Sequence, residues 1–352
     1  MNIQPDFERL RKTLMLEGEA DRVPLVELGV DPRHMSRLIG RPFKTTKDRI
    51  DFFAMAGYDY AKLSPIVNMN PAGIQPKAFH ARGERSTQST ERNWAPEGEG
   101  LITSWSEFEN YVWPEPGDIS YQMFEEAPGL LPKGLGVIGQ YGDIFTLTWE
   151  LMGFEAFSYA LVDNVELVEA LWNKIGEINL WMFEKMASYD FVGALWYSDD
   201  VAYRTGLLVS PKVLREYHFP WLKKIGDLAQ ARGIPFLYHT DGVLWDVMED
   251  IIACGVNALH PIEPQAMDIR EVKKRYGDRL CLMGNLDLSG PLGRGTPEEV
   301  EQEVKRLLRE VAPGGGYCLG SGNSVPDYIP YENYIAMTRA CLKYGRYPIR
   351  ID

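Results

Sequence analysis

Histidine and cysteine are scarce in this sequence, with five of the first and four of the second in 352 residues. The cysteines, Cys254, Cys281, Cys318 and Cys341, form no C-x-x-C and no Cys/His pair at zinc-finger spacing, which speaks against a zinc ribbon or a disulfide framework. They read as small buried hydrophobes. Basic charge is also short, 37 Lys and Arg against 50 Asp and Glu, so no nucleic-acid or anionic-membrane surface is expected at a net charge of −13. No run of about 18 apolar residues occurs, and the start lacks a cationic stretch followed by an apolar one. Membrane insertion and export are not expected, and the cytoplasm is the expected location. Missing as well are a P-loop, a G-x-S-x-G elbow and an H-E-x-x-H, which removes the common nucleotide-dependent and hydrolytic readings.

What is present is a rhythm of apolar runs with helical patterns between them. The runs cover residues 23–28, 58–64, 134–139, 192–197, 235–238, 257–261, 280–283 and 317–320. A helix is predicted over 211–231, with Ser210 as its cap and Pro211 in its first turn, and another over 296–311, where Thr296 caps and Glu298 and Glu299 suit the positive end. Eight short buried strands alternating with helices predict an α/β fold, a single (β/α)8 barrel spanning residues 1–352. A doubly wound open sheet is the alternative. Residues 66–132 break the rhythm, with extended stretches at 78–82 and 101–105 and a turn at 95–98, and are expected to form a β-hairpin excursion between the second and third strands. Such an insertion is either a lid over a site or a cover for the barrel edge or a subunit contact.

In a barrel, the residues just beyond each strand converge on one face. Here they are Glu27 and Asp31; Ser64; Gln140, Tyr141 and Asp143; Ser198, Asp199 and Asp200; His239, Asp241 and Gly242; His260 and Glu263; Asn285 and Asp287; Ser321 and Asn323. So many ionisable groups without partners would be costly in a dry core, so a cavity that takes a ligand is expected, although any single carboxylate can be an ordinary loop cap. The sharpest feature is His239-Thr240-Asp241-Gly242. Residues two apart at a strand end share a side, so His239 and Asp241 could hold one metal ion, or the carboxylate could orient the ring. Gly242 would let the chain turn there and leave room for a ligand. Glu263 is a further candidate ligand, His260 is read as a packing histidine, and His34, His80 and His218 receive no role. Tyr141, Trp196 and Tyr203 stand where they could line a pocket for a planar ligand.

The chain resembles the uroporphyrinogen decarboxylase superfamily over nearly its full length, through Leu207-Leu208-Val209-Ser210-Pro211, Phe219-Pro220-Trp221-Leu222-Lys223, Tyr238-His239-Thr240-Asp241-Gly242, Gly284-Asn285-Leu286-Asp287 and Pro330-Tyr331-Glu332-Asn333. That resemblance implies an enzyme, of either the decarboxylase or the cobalamin-linked methyltransferase branch. The decarboxylase branch begins with an R-Q-A-G-R segment that holds a polycarboxylate; here the matching stretch is Val26-Glu27-Leu28-Gly29-Val30-Asp31, with acids in place of cations. The methyltransferase branch binds zinc through H-x-C and a distant cysteine. In this chain that slot reads His239-Thr240-Asp241, and Asn323 falls near the late cysteine. The resemblance therefore implies a methyl transfer from a small methylated or methoxylated compound to a corrinoid protein, with Zn2+ held by His239, Asp241 and Glu263. Asp199, Asp200 and Tyr141 are then the expected catalytic residues, and Glu27, Asp143, Trp196, Tyr203 and Asn285 the expected substrate contacts. The alternatives are a metal-free decarboxylase, in which Asp199 or Asp200 steadies a protonated intermediate, and a non-catalytic ligand-binding barrel; a homo-oligomer is compatible with each.

Overall fold

In the computed structural model, which describes residues 4–70 and 100–351, seven of the eight apolar runs become strands of one parallel sheet. The strands in chain order are β1 (Tyr60–Leu63), β2 (Gly136–Gly142), β3 (Val192–Ser198), β4 (Ala202–Tyr203), β5 (Gly206–Leu207), β6 (Phe236–His239), β7 (Ala258–His260), β8 (Cys281–Leu286) and β9 (Tyr317–Ser321). Strands β4 and β5 form a separate antiparallel ribbon, and the remaining seven pair in the order β1-β2-β3-β6-β7-β8-β9. Every sheet pairing is parallel, and β8 and β9 are buried on both faces, as expected when helices cover the outside.

The eighth run, 23–28, differs from expectation. It runs beside β9 through a single parallel bridge, Leu25 to Leu319, with the Val26 amide donating to the Leu319 carbonyl at 2.9 Å. On its other side the partner is a side chain: the Tyr60 hydroxyl of β1 accepts from the Glu27 amide at 2.9 Å and donates to the Glu27 carbonyl at 3.1 Å. One segment thus touches both edges of the sheet, which is the sense in which the sheet curls like a (β/α)8 barrel. Pro24 has no amide to give a ladder, which fits a sparse pairing here.

The helices follow their caps. Thr296 and Glu299 form a reciprocal capping box at the head of Pro297–Val311. The predicted 211–231 helix is continuous but widens into a π-type turn over Leu214–His218, just before Pro220, whose missing amide leaves the ladder one donor short. The predicted excursion is only partly within view, since 78–82 and 95–98 lie outside the described residues. Its described remainder is not a hairpin. Residues 101–105, read as extended, lead into a helix at Trp105–Asn110 because Ser104 and Glu107 make a capping box, and a second short helix, Gln122–Glu126, follows. Among the described residues no helix is long and apolar enough to cross a membrane.

If the Tyr60 hydroxyl stitches the edge closed, Tyr60→Phe removes the buried partner of the Glu27 amide and carbonyl. The expected loss is about 2–3 kcal/mol in urea unfolding with an unchanged slope. A loss below about 0.5 kcal/mol would show that the contact is incidental.

Candidate active site at the strand ends

Side chains alternate across a strand, and here the alternation sorts the polar residues into two groups. From β3 onward, Trp196, Ser198 and Asp200 share one side and Tyr197 and Asp199 the other. The outer group is consumed by the fold. Asp199 is 1% exposed and accepts from the Phe145 and Thr146 amides at 2.6 and 3.0 Å, the Thr146 hydroxyl at 2.7 Å and the Tyr197 hydroxyl at 2.6 Å. It anchors the head of the helix Ile144–Met152, where an anion is favoured. Asp199, expected to be catalytic, thus has both carboxylate oxygens engaged by the fold. Tyr141 falls on the outer side too, packing with Ile178 and Met182 of the helix Val165–Ala187. Gln140 takes the inner place, accepting from Ser64 Oγ at 3.1 Å and donating to Ser198 Oγ at 3.0 Å.

The inner group gathers at the mouth. Asp200, His239 and Asp241 each offer a ligand atom, all within 4.8 Å of one another. His239 Nε2 lies 3.5 Å from Asp200 Oδ1, which also accepts the Asp241 amide at 2.9 Å. On its far side His239 Nδ1 meets His260 Nδ1 at 2.8 Å, so one of these two nitrogens carries the proton they share. Asn323 Nδ2 donates to Asp241 Oδ2 at 2.5 Å. His260 is fully buried and held uncharged by burial and by the neighbouring His239 and Lys62.

Glu263 does not join this group. Arg204 Nε donates to its Oε1 at 2.6 Å and the Gly242 amide to its Oε2 at 3.1 Å, so both oxygens are engaged elsewhere. Gly242 itself has φ +88° and its absent Cβ would sit 2.6 Å from the backbone of Ala202 and Tyr203. The space expected for a ligand is taken by the β4–β5 ribbon. Of the other expected substrate contacts, Asp143 is exposed at a left-handed turn and Tyr203 is half exposed on the ribbon. Asn285 is buried and donates to the Ile262 carbonyl at 2.6 Å, bracing the loop after β7. Trp196 is fully buried, with its ring 5.4 Å from that of His260.

The model of the family Uroporphyrinogen decarboxylase (URO-D) matches residues 91–344. This chain belongs to the URO-D family. It is similar to the uroporphyrinogen decarboxylase of Pseudoalteromonas translucida, 30% identical over 133 residues, which are 36% of this chain and 36% of that protein. With that of Psychromonas ingrahamii it is 26% identical over 260 residues, 67% and 69% of the two chains. Against three of the relatives it spans 30–39% of their length. A solved structure, a methyltransferase from Methanosarcina mazei, aligns with a TM-score of 0.67 at 17% identity, covering 96% of this chain and 98% of that one, which shows a shared fold.

This URO-D family member also carries two buried ionisable groups beneath the strand ends, Glu27 and Lys62. Glu27, expected at the mouth, is fully buried, and Ser321 donates to it through its hydroxyl at 2.6 Å and its amide at 3.2 Å. Burial pushes the Glu27 carboxyl up to about 8, against those bonds and the charge of Lys62. Lys62 of β1 is 8% exposed, its ammonium 5.6 Å from the Trp196 ring centroid, and is pushed down to about 7 by burial first and the charge of Arg49 next. The signal for Lys62 was in the sequence: a lone cation in the run 58–64.

These shifts give stability opposite slopes with pH. Between the ordinary Glu value of 4.5 and about 8 the unfolded carboxyl is ionised and the folded one is not, so stability falls as pH rises through that window. Between about 7 and 10.5 the unfolded Lys62 holds a proton that the folded one has lost, so stability rises again. Glu27→Gln is expected to gain about 1–3 kcal/mol at pH 8 and nothing near pH 4, read by urea unfolding across that range. A variant whose curve runs parallel to the wild type at every pH would show that Glu27 is not protonated in the folded state.

Proposed function

We propose that this URO-D family member is a methyltransferase that takes a methyl group from a small methylated or methoxylated compound and passes it to a corrinoid carried by a partner protein, with Zn2+ at the mouth. The observation that carries the reading is the convergence of Asp200, His239 and Asp241 at the H-x-D slot. The donor set fits the ion. One imidazole nitrogen and two carboxylate oxygens neutralise a divalent cation, and three protein ligands leave a position open, the pattern of a catalytic zinc site. The ligands also have the partners that such sites need, His260 behind His239 and Asn323 on Asp241. Oxygen ligands in place of thiolates make a harder site, suited to a substrate oxygen. When bound, the ion would draw charge from the oxygen that leaves as the C–O bond breaks.

The chain's own residues do the rest. Asp200 fixes the Asp241 backbone through the bond to its amide, and Asn323 fixes the Asp241 carboxylate. His260 turns the His239 ring so that Nε2 faces the carboxylates. The buried Trp196 and His260 rings lie beneath the site, their centroids 5.4 Å apart. Asp200, His239 and Asp241 lie at the strand ends, the face at which a methyl acceptor would be met.

Zinc-replete wild-type protein is expected to hold about one equivalent of zinc by elemental analysis, with His239→Ala and Asp241→Ala losing it and Glu263→Gln keeping it. Transfer from a methoxylated probe to reduced free corrinoid, followed by absorbance, should fall by about 10²-fold or more in Asp241→Ala. CO2 release from a carboxylated probe without corrinoid, by protein devoid of metal, would instead support the decarboxylase alternative and sink this one.

A further inference from the structure

The interior beneath the mouth holds more cationic and donor groups than acceptors. Neither the Lys62 ammonium nor the Arg49 guanidinium forms an ion pair or a side-chain hydrogen bond with any described residue. Both are drawn into the protein far enough for burial to be the first influence on each, and they act on one another as like charges. The Trp196 indole N–H, fully buried next to Lys62, has no acceptor among the described residues either. The nearest acid, Glu27, is bonded to Ser321. His260 Nε2 is a further buried ring nitrogen without a described partner, at the edge of Trp196. A buried charge without a counter-ion is costly, and a like charge that acts on it, as Arg49 does on Lys62, adds to that cost. Such an arrangement is stable in use when an anion supplies the missing charge and acceptor lone pairs.

We infer that the barrel binds its small-molecule ligand by a carboxylate seated against Lys62 and the Trp196 N–H, with Arg49 adding to the positive field. Lys62 keeps a residual exposure of 8%, so it is not wholly sealed from solvent. The outer surface of a chain with net charge −13 would repel such a ligand, so the selectivity has to come from within. A carboxylate is matched by two or three N–H donors in one small space, and charge assistance makes those bonds the strong ones. The assignment deepens the proposed function by naming its substrate class, a methylated or methoxylated organic acid, and rests on that reading only for the bond that is broken.

The test compares acids with their neutral amides on the intact protein. 4-Methoxybenzoate and methoxyacetate, each beside its primary amide and beside inorganic phosphate, are titrated by calorimetry at pH 6.5 with wild type, Lys62→Met and Trp196→Phe. The expected result is binding of at least one acid about tenfold or more tighter than its amide and than phosphate. That preference is lost in Lys62→Met and reduced in Trp196→Phe, while thermal unfolding confirms folded variants. The wild-type comparison stands alone if a variant fails to fold. Binding of amide or phosphate as tight as the acid, a preference that survives in folded Lys62→Met, or no binding of either acid up to ~10 mM would overturn the inference. Zinc content measured on the same samples separates the two readings: zinc-free protein that keeps the acid preference removes only the methyl-transfer reading, and zinc-bound protein without it removes only this one.

Discussion

The two-residue period of β3 is the constraint on which the rest of the structure depends. Asp199 and Asp200 are adjacent in sequence and chemically identical, yet the alternation sends one outward and one inward. The outward carboxylate ties together the helix Ile144–Met152, Tyr197 and, through its carbonyl, Tyr238. Because that knot fixes where β3 ends and how it lies on β6, it also fixes Asp200 beside His239, its neighbour through the Ser198–His239 register. A slip of one residue would put one acid in the other's place and bring Ser198 or Val201 into the place left behind, so either the helix head or the mouth would lose its carboxylate. Site geometry and outer packing are therefore set by one register.

The interior tells a complementary story about charge. The chain is acidic as a whole, but its buried charges are mostly compensated in place: Asp59 has Arg9 at 2.6 Å and Arg22 at 3.1 Å, and Asp199 has its ring of donors. Lys62 and Arg49 are the departure from that practice. Burial depresses the Lys62 pKa and raises that of Glu27, so at neutral pH the pair sits close to the boundary between ionised and neutral forms. Full ionisation of both would require each to lose its hydration, which a contact too long for an ion pair does not return. A fold selected only for stability would replace such a lysine with an apolar residue of the same length.

The parts of this architecture legible in the sequence were those governed by local pattern. Seven runs read as strands are strands, since a buried parallel strand is a continuous apolar run whatever its neighbours, and the helix capped by Thr296 announces itself through Ser/Thr-x-x-Glu spacing. The eighth run reads as a strand for the same reason, but it makes only one bridge, to β9, and meets β1 through the side chain of Tyr60, 33 positions away from Glu27. At the site, His239 and Asp241 were legible as a pair. Asp200 against Asp199, and Gln140 against Tyr141, were not, because parity at a strand end depends on the register, which only the folded sheet fixes. Glu263 matched the chemistry of a ligand but not its geometry, since Arg204 and the Gly242 amide reach it first. Lys62 lies within β1 and not beyond its end, so the pattern of polar strand-end residues does not include it.

The contact between His239 and His260 joins the mouth to the interior. Where both rings are neutral, imidazoles meeting Nδ1 to Nδ1 share one proton on that contact, so fixing it on one ring fixes the tautomer of the other. If His239 keeps its Nε2 lone pair for a cation held with Asp200 and Asp241, its proton must sit on Nδ1. His260 then accepts at Nδ1 and carries its own proton on Nε2, beside Trp196. If instead His239 donates through Nε2 to Asp200, the proton on the shared contact belongs to His260, and its Nε2 becomes an acceptor. The first arrangement adds a third N–H donor to the group around Lys62 and favours an anion there; the second adds an acceptor and disfavours one. A cation at the mouth and a carboxylate below it therefore ask for the same tautomer, and by linkage each strengthens the other. The pair of histidines, scarce as the residue is in this chain, would be the link through which the two proposed sites share one barrel.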